Sequence, residues 1–394
     1  MPGNDFIFGI PYGTRDFLPQ EATEKRNVEN SLMRIFRQWG YDEVVTPVIE
    51  YLTTMTVGNG RYLEPHMFKF FDKNNETLAL RYEMTTPIAR LVSSRMRDET
   101  FPLKLAYISN VFRYEQAQAG RQCEFNQGGV ELIGSSSVAA DAEVIALAIE
   151  SIKAAGLKDF QVCLGQVDFI SGMMRQLQLD EQRQARVTLA LEQHDLVALA
   201  RIVDDMELSP AAKDAMKKVP TLHGKDDVLQ EAYAIVLNEQ GRRALDNLSE
   251  IYRLLQKYGV AEYVCFDLGV IRSLNYYTGM IFEAYAPGLG YPVCGGGRYD
   301  RLLSDFGNAS PATGFALGIE RLLLARARQS GQGEVSEKTY YIAYAHDKMH
   351  DALAKAQELR QMGSVCETAF LPQTKQRAEE YRAAKGYKEL IYIS

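Results

Sequence analysis

Two strand-like runs, Leu103–Phe112 and Gln122–Leu132, flank the polar loop QAQAGR. A connection this short joins antiparallel neighbours, because parallel pairing needs a crossover of a dozen residues or more. The hairpin therefore places an antiparallel sheet at the centre of the fold, with a long loop at its tip. Its far half, VFRYEQAQAGRQCEFNQGGVELIG (111–134), alternates arginine, glutamine and glutamate with aromatics. Such a set suits a small zwitterion, a nucleotide, or both.

The segments around the hairpin predict a mixed architecture. Glu21–Gln38 carries Val28, Leu32, Ile35 and Phe36 at helical spacing and ends at Gly40. YDEVVTPVIE is a short strand broken by Pro47, which suits an edge or an interface. Met67–Phe71 and Thr77–Arg81 form strands around an Asn-Asn turn, and TTPIARLVSSRM is helical with Pro87 in its first turn. An apolar helix over Ala139–Ala155 and a strand over Phe160–Leu164 follow; residues 169–257 then read as long helices with a turn at Leu222–Asp226. Val264–Asp267, Met280–Tyr285 and Tyr291–Cys294 return to strand, and Gly318–Arg328 is helical. After the linker SGQGE, the segments YYIAYA, Met349–Met362, CETAF, Gln376–Ala384 and ELIYIS alternate β-α-β-α-β. The expected fold class is α+β. Its core comprises 1–167 and 259–329, with a helical insertion at 168–258 and a small α/β C-terminal domain at 335–394.

Composition narrows the function. A formal net charge of −7 over 394 residues argues against a broad nucleic-acid surface. Five dispersed cysteines, with no C-x-x-C pair, suggest neither a zinc cage nor a disulfide framework and suit a reducing compartment. The N-terminus lacks a secretory pattern, and no apolar run approaches the roughly 20 residues of a membrane span. The expectation is a cytoplasmic protein with no membrane partner, no metal and no cofactor.

Four groups of residues carry chemistry. In RYEMTT (81–86), Glu83 can accept from an ammonium and Thr85 offers a hydroxyl, while the bland alternative has Glu83 and Thr86 only satisfying a helix N-terminus. Gln127 and Glu131, four apart on a strand, share a face that Arg113 can approach from the hairpin partner. In VIRSLNYYTGMIFEAY (270–285), Arg272 suits a carboxylate, and Tyr276 and Tyr277 can wall a flat ring. In PVCGGGRYD (292–300) three consecutive glycines bring backbone N–H groups close to a ligand, the bland alternative being a plain turn, while Arg321 in FALGIERL can meet a phosphate or form a structural ion pair. The bland alternatives are a surface hairpin with cross-strand ion pairs and tyrosines that merely pack.

In order, these stretches resemble the class II aminoacyl-tRNA synthetase core, specifically its histidyl branch. The resemblance spans about residues 10–328: GTRDFLP near the start, GYDEVVTPVIE as motif 1, FRYEQAQAGRQCEFNQGGVE as motif 2, IRSLNYYTG and CGGGRYD as histidine-specific motifs, and ALGIERLLL as motif 3. It implies a synthetase-like antiparallel sheet flanked by helices, with the tail resembling a truncated anticodon-binding domain. It also implies that Glu83, Thr85, Arg113, Gln127, Glu131, Arg272, Tyr276 and Tyr277 surround histidine, and that Arg113 and Arg321 touch nucleotide phosphates. Met84 stands where the synthetases usually have glycine, and MTTPIAR resembles instead their paralogue, the regulatory subunit of ATP phosphoribosyltransferase. From Glu334 to Ser394 nine Lys/Arg balance nine Asp/Glu, so tRNA is not an expected partner. That resemblance implies a non-catalytic subunit that binds L-histidine, dimerises through motif 1, and joins a short-form catalytic subunit in a hetero-octamer. An active histidyl-tRNA synthetase with a shortened tail is the alternative.

Overall fold

The computed structural model describes residues 8–58, 62–114, 122–176, 179–193, 195–236, 238–269, 277–330 and 338–394. The chain divides into two compact units: Met1–Asp16 with Lys25–Gln332, and Phe17–Glu24 with Gly333–Ser394.

In the first unit the hairpin forms as the sequence predicts. β5 (Leu103–Phe112) pairs antiparallel with β6 (Glu124–Ile133), setting Ser109 opposite Gln127 and Leu105 opposite Glu131. Among the described residues this pair belongs to a nine-stranded sheet. In order it contains β1 (Asp42–Glu43), β5, β6, β12 (Ala312–Gly318), β11 (Cys294–Arg298), β10 (Met280–Tyr285), β7 (Gln161–Gln166), β9 (Val264–Asp267) and β8 (His223–Gly224). The pairings are antiparallel except β1–β5 and β7–β9.

The centre of this sheet corrects two expectations. The strand placed at Tyr291–Cys294 instead runs Cys294–Arg298, so the three glycines lie within paired strand rather than a turn. Ala312–Gly318, not anticipated as a strand, joins β11 to β6. Close packing explains the glycines: a Cβ at Gly296 would lie 2.3 Å from the Gly314 carbonyl oxygen, and one at Gly297 would lie 2.6 Å from that of Met280.

One face of the sheet packs on α1 (Pro19–Gln38) and α3 (Val138–Ala154), whose Val28, Leu32, Phe36, Ile145 and Ile149 join Val130, Phe282 and Phe315 in the main core. Phe315 meets Phe36 and Phe282 edge-on, at 6.0 and 6.5 Å between ring centroids. The helical run from 168 onward appears as α4 (Val167–Gln176), α5 (Glu181–Glu192), α6 (Leu196–Asp204), α7 (Pro210–Lys218), α8 (Asp227–Ile235) and α9 (Glu239–Tyr258), and Phe169, Leu248 and Leu255 bury into the same core. Asp195, Ser209 and Asn238 cap α6, α7 and α9 by accepting from a backbone N–H three residues on.

Beside the large sheet lies a small antiparallel one, β2 (Ile49–Tyr51), β4 (Thr77–Leu80) and β3 (Lys69–Phe71), followed by α2 (Thr85–Arg95). Pro47 separates β1 from β2, and the segment exposes Val45, Val48, Ile49 and Tyr51. The last helix of this unit is α10 (Ile319–Ser330).

Among its described residues the second unit holds three parallel strands in the order β14 (Cys366–Thr368), β13 (Tyr340–Tyr344) and β15 (Glu389–Ile393), connected by α11 (Met349–Gln361) and α12 (Lys375–Lys385). Ile342, Ala343, Ala352, Ala356 and Ala378 form its core.

Candidate functional site

A cavity of about 290 Å³ opens on the face of the large sheet opposite α1. Its walls gather Glu83, Thr85, Arg113, Gln127, Glu131, Tyr277 and Arg321, seven of the residues singled out from the sequence. Arg272 and Tyr276 lie outside the described residues.

Glu131 occupies the floor. It is 2 % exposed, and its carboxyl accepts from Thr85 Oγ1 at 2.7 Å and from the Tyr299 hydroxyl. The carboxyl fits because its partner across β12 is Gly314, where a Cβ would come within 2.0 Å of Glu131 Oε2. Burial, reinforced by the nearby Glu83 charge, pushes the Glu131 carboxyl up to about 8, although the Tyr299 and Thr85 hydrogen bonds favour its ionised form. Tyr107, fully enclosed below it, is likewise shifted up by burial.

The sign of the resulting pH dependence follows. With its folded value raised above the usual 4.5, Glu131 stays protonated in the fold while the unfolded chain ionises, so stability falls as pH rises from about 4.5 to 8. Glu131→Gln keeps a neutral polar group there and should flatten that loss, by a few kcal/mol between pH 5 and 8.5 in chemical denaturation. Identical pH profiles for variant and parent would show that the carboxyl ionises without penalty.

Glu83 performs the structural role considered for it: its oxygens accept from the backbone N–H of Thr85 at 2.5 Å and of Thr86 at 2.9 Å, capping α2. A carboxylate has about four acceptor positions, so a ligand ammonium can still bond to it. Two strand positions away from Gly129, Gln127 is 8 % exposed, and its Oε1 is buried with no hydrogen-bond partner. Arg113 donates from Nε to the Tyr82 carbonyl at 3.2 Å and lies over the rings of Tyr82 and Phe125, at 4.5 and 5.1 Å. At the other end of the cavity, Arg321 donates to the Pro292 carbonyl at 2.8 Å and lies over Tyr291 at 4.8 Å. Glu320, beside it at the start of α10, accepts from the backbone and the side-chain amide of Asn126, holding α10 against β6.

Sequence reading missed Tyr299, Tyr107 and Glu320. Tyr299 sits in the quoted PVCGGGRYD, yet it reaches Glu131 only because β11, β12 and β6 are neighbours. Among the described residues no cluster of three or more His, Cys, Asp or Glu could hold a metal ion, and no helix is long and apolar enough to cross a membrane.

The arrangement can take a small ligand with several N–H donors and an anionic or ring-bearing end. Two carboxyls and an orphaned amide oxygen face the same space as two guanidinium groups.

Comparison with known proteins places the chain. The histidyl-tRNA synthetase family model matches residues 13–322. A curated ATP phosphoribosyltransferase regulatory subunit from Moorella thermoacetica is 44% identical over 377 residues, covering 96% of each chain. One of the same description from Acetivibrio thermocellus is 37% identical over 383 residues, covering 97% of this chain and 92% of the relative. A crystal structure described as an ATP phosphoribosyltransferase regulatory subunit/histidyl-tRNA synthetase, from Bacillus halodurans, superposes with a TM-score of 0.88 at 35% identity over 99% of both chains. A Nostoc histidyl-tRNA synthetase shares the fold, with a TM-score of 0.83 at 22% identity over 97% of this chain and 90% of the synthetase. With its synthetase-type sheet and its kinship along nearly its whole length, the chain belongs to the ATP phosphoribosyltransferase regulatory subunit family, a branch of the histidyl-tRNA synthetase fold.

Proposed function

We propose that the protein works with a short-form ATP phosphoribosyltransferase catalytic subunit and binds L-histidine as its feedback signal, with no catalysis of its own. The observation that carries this reading is the buried, unpartnered Gln127 Oε1 beside the enclosed Glu131 carboxyl, an acceptor set suited to an amino acid's N–H groups. Glu83 and Gln127 receive the α-ammonium and Glu131 the imidazole N–H, while Tyr277 walls the ring. Arg272 and Tyr276, proposed on the sequence resemblance, take the carboxylate and complete the wall. The exposed Val45–Tyr51 segment, motif 1 in that resemblance, supplies the self-association surface within a hetero-octamer. Residues 168–258 act as an insertion in a core of 1–167 and 259–329, with 335–394 as an accessory domain. A cytoplasmic setting accords with this role, and tRNA is not a partner.

Feedback requires that histidine bind one assembly state better than another, since equal affinity shifts nothing. Glu131→Ala removes the floor carboxyl and should raise the histidine concentration for half-inhibition of the assembled enzyme at least about tenfold, the equivalent of ~1.4 kcal/mol. Uninhibited assembly of the two subunits, seen by gel filtration, is the control. Inhibition that persists unchanged in the variant would place the sensor elsewhere.

A second reading is favoured by one observation, the presence of both Arg113 and Arg321 on the cavity wall: histidine activation with ATP. Histidine-dependent ATP–pyrophosphate exchange by the isolated chain would establish it; its absence alongside histidine binding supports the sensor.

A further inference from the structure

Alternate residues of β7 and β9 point into the main core: Val162 and Leu164 of β7, with Val264 and Phe266 of β9, are fully buried there. The residues between them, Cys163 and Cys265, therefore face the other side of the sheet. The parallel β7–β9 register sets these two cysteines directly opposite each other, and their thiols hydrogen-bond to one another. All five cysteines are free thiols, and in the registers of the described strands no other two are partners. Spacing along the chain hides the pair, because it forms only once distant strands are neighbours.

The surroundings suit sulfur chemistry. Cys163 is 8 % exposed and Cys265 3 %, so water-sized molecules reach them and bulky ones do not. On the same face Asp267 follows two residues along β9, 3.5 Å from His223, and Glu283 of β10 is the strand partner of Cys163. Glu283 also lines the cavity, so the thiol pair lies one strand beyond its wall. Lys225 reaches β9 from the side, donating to the carbonyls of Glu262 and Val264 at 3.0 and 2.7 Å. The Cys265 thiol is shifted down by the hydrogen bond from Cys163 and, against its burial, by the Lys225 charge. Cys163 is shifted up by that same hydrogen bond and by burial. Cys265 is thus the nucleophile of the pair and Cys163 the proton donor.

We propose that Cys163 and Cys265 form an oxidation site, a dithiol that hydrogen peroxide closes to a reversible disulfide beside the cavity. The Cys265 thiolate attacks one peroxide oxygen; the O–O bond breaks, hydroxide leaves and a sulfenic acid forms. The Cys163 sulfur, giving up its proton, then displaces hydroxide from that sulfenic sulfur. Two thiols lose two electrons, peroxide gains them, and the two thiol protons end in two waters. Neighbouring strands lie about 4.8 Å apart, within the range of about 4.4–6.8 Å between disulfide-linked Cα atoms, so closure needs no change of register. A thiol reductant reverses it by exchange.

The test treats the native full chain with hydrogen peroxide, then unfolds it and alkylates the remaining thiols for mass spectrometry. The parent is expected to lose two of its five alkylatable cysteines, to yield a peptide linking Cys163 to Cys265, and to regain both thiols in dithiothreitol. Cys265→Ser, which lacks the thiolate, should lose the Cys163 thiol at least about tenfold more slowly than the parent. Cys163→Ser leaves the Cys265 sulfenic acid without a partner, so prolonged exposure should carry it to the sulfinic acid, a loss that dithiothreitol does not restore. Should a serine variant not fold, the disulfide map of the parent decides alone. Five alkylatable thiols after peroxide, a linkage between other cysteines, or a loss in the parent that dithiothreitol does not reverse overturns the inference.

Discussion

Arg298→Met is expected to lower the free energy of unfolding by about 3–5 kcal/mol, the range for breaking a buried ion pair from one side. Arg298 ends β11 and is 7 % exposed; Asp141, in the first turn of α3, is 1 % exposed. The guanidinium contacts the Asp141 carboxylate through Nε at 3.0 and 3.1 Å and through Nη2 at 2.8 Å, and Nη1 donates to the Ser135 carbonyl and to Asp300. Methionine matches the stem but leaves the Asp141 charge buried without its counter-ion. The pair itself is no great source of stability, because removing both ions from water costs nearly what their attraction returns. An Asp141→Leu/Arg298→Met double variant should therefore recover most of the loss. The single tryptophan, Trp39, lies in the first unit, so its fluorescence in urea follows this unit directly. A single-variant loss below about 1 kcal/mol would place the pair among surface salt bridges in effect.

Gly314→Ala should be comparably severe and should also weaken ligand binding sharply. Its Cβ would meet Glu131 Oε2 at 2.0 Å and the Val130 carbonyl oxygen at 2.4 Å. The carboxyl could swing aside, but the carbonyl belongs to the β6–β12 ladder and cannot move without opening it. The expected cost is about 3 kcal/mol or more, at the upper end for inserting a methyl into a packed interior. Because Glu131 is displaced in either event, histidine affinity measured by calorimetry should fall at least about a hundredfold, some 2.7 kcal/mol. Parental affinity in the alanine variant would mean that Glu131 does not set the ligand's position.

What could be read from the sequence was whatever depends on spacing along one element. Gln127 and Glu131 share the cavity because strands repeat every two residues, and the β5–β6 hairpin, β9, β10 and the helices around them follow from local apolar patterning. β11 escaped because CGGGR has no alternation and little β-propensity; its strand state comes from neighbours on both sides. Tyr299 was hidden for a related reason: its bond to Glu131 spans 168 residues and exists only once strands distant in sequence are adjacent. The twofold possibility for Glu83 was visible, but only the structure shows both its oxygens engaged by the start of α2.

The cavity's volume comes less from its lining than from omitted side chains. On the face shared with Glu131, the neighbouring strands place Gly314, Ala316 and Gly318 of β12 and Gly295 of β11, where larger residues would stand in an ordinary sheet. Mutation acts on such a surface in one direction. Any replacement of glycine adds atoms, so random change narrows this cavity and cannot widen it there. A lineage under relaxed selection for the ligand should therefore lose the site by gradual filling, with its glycines going before its charged residues.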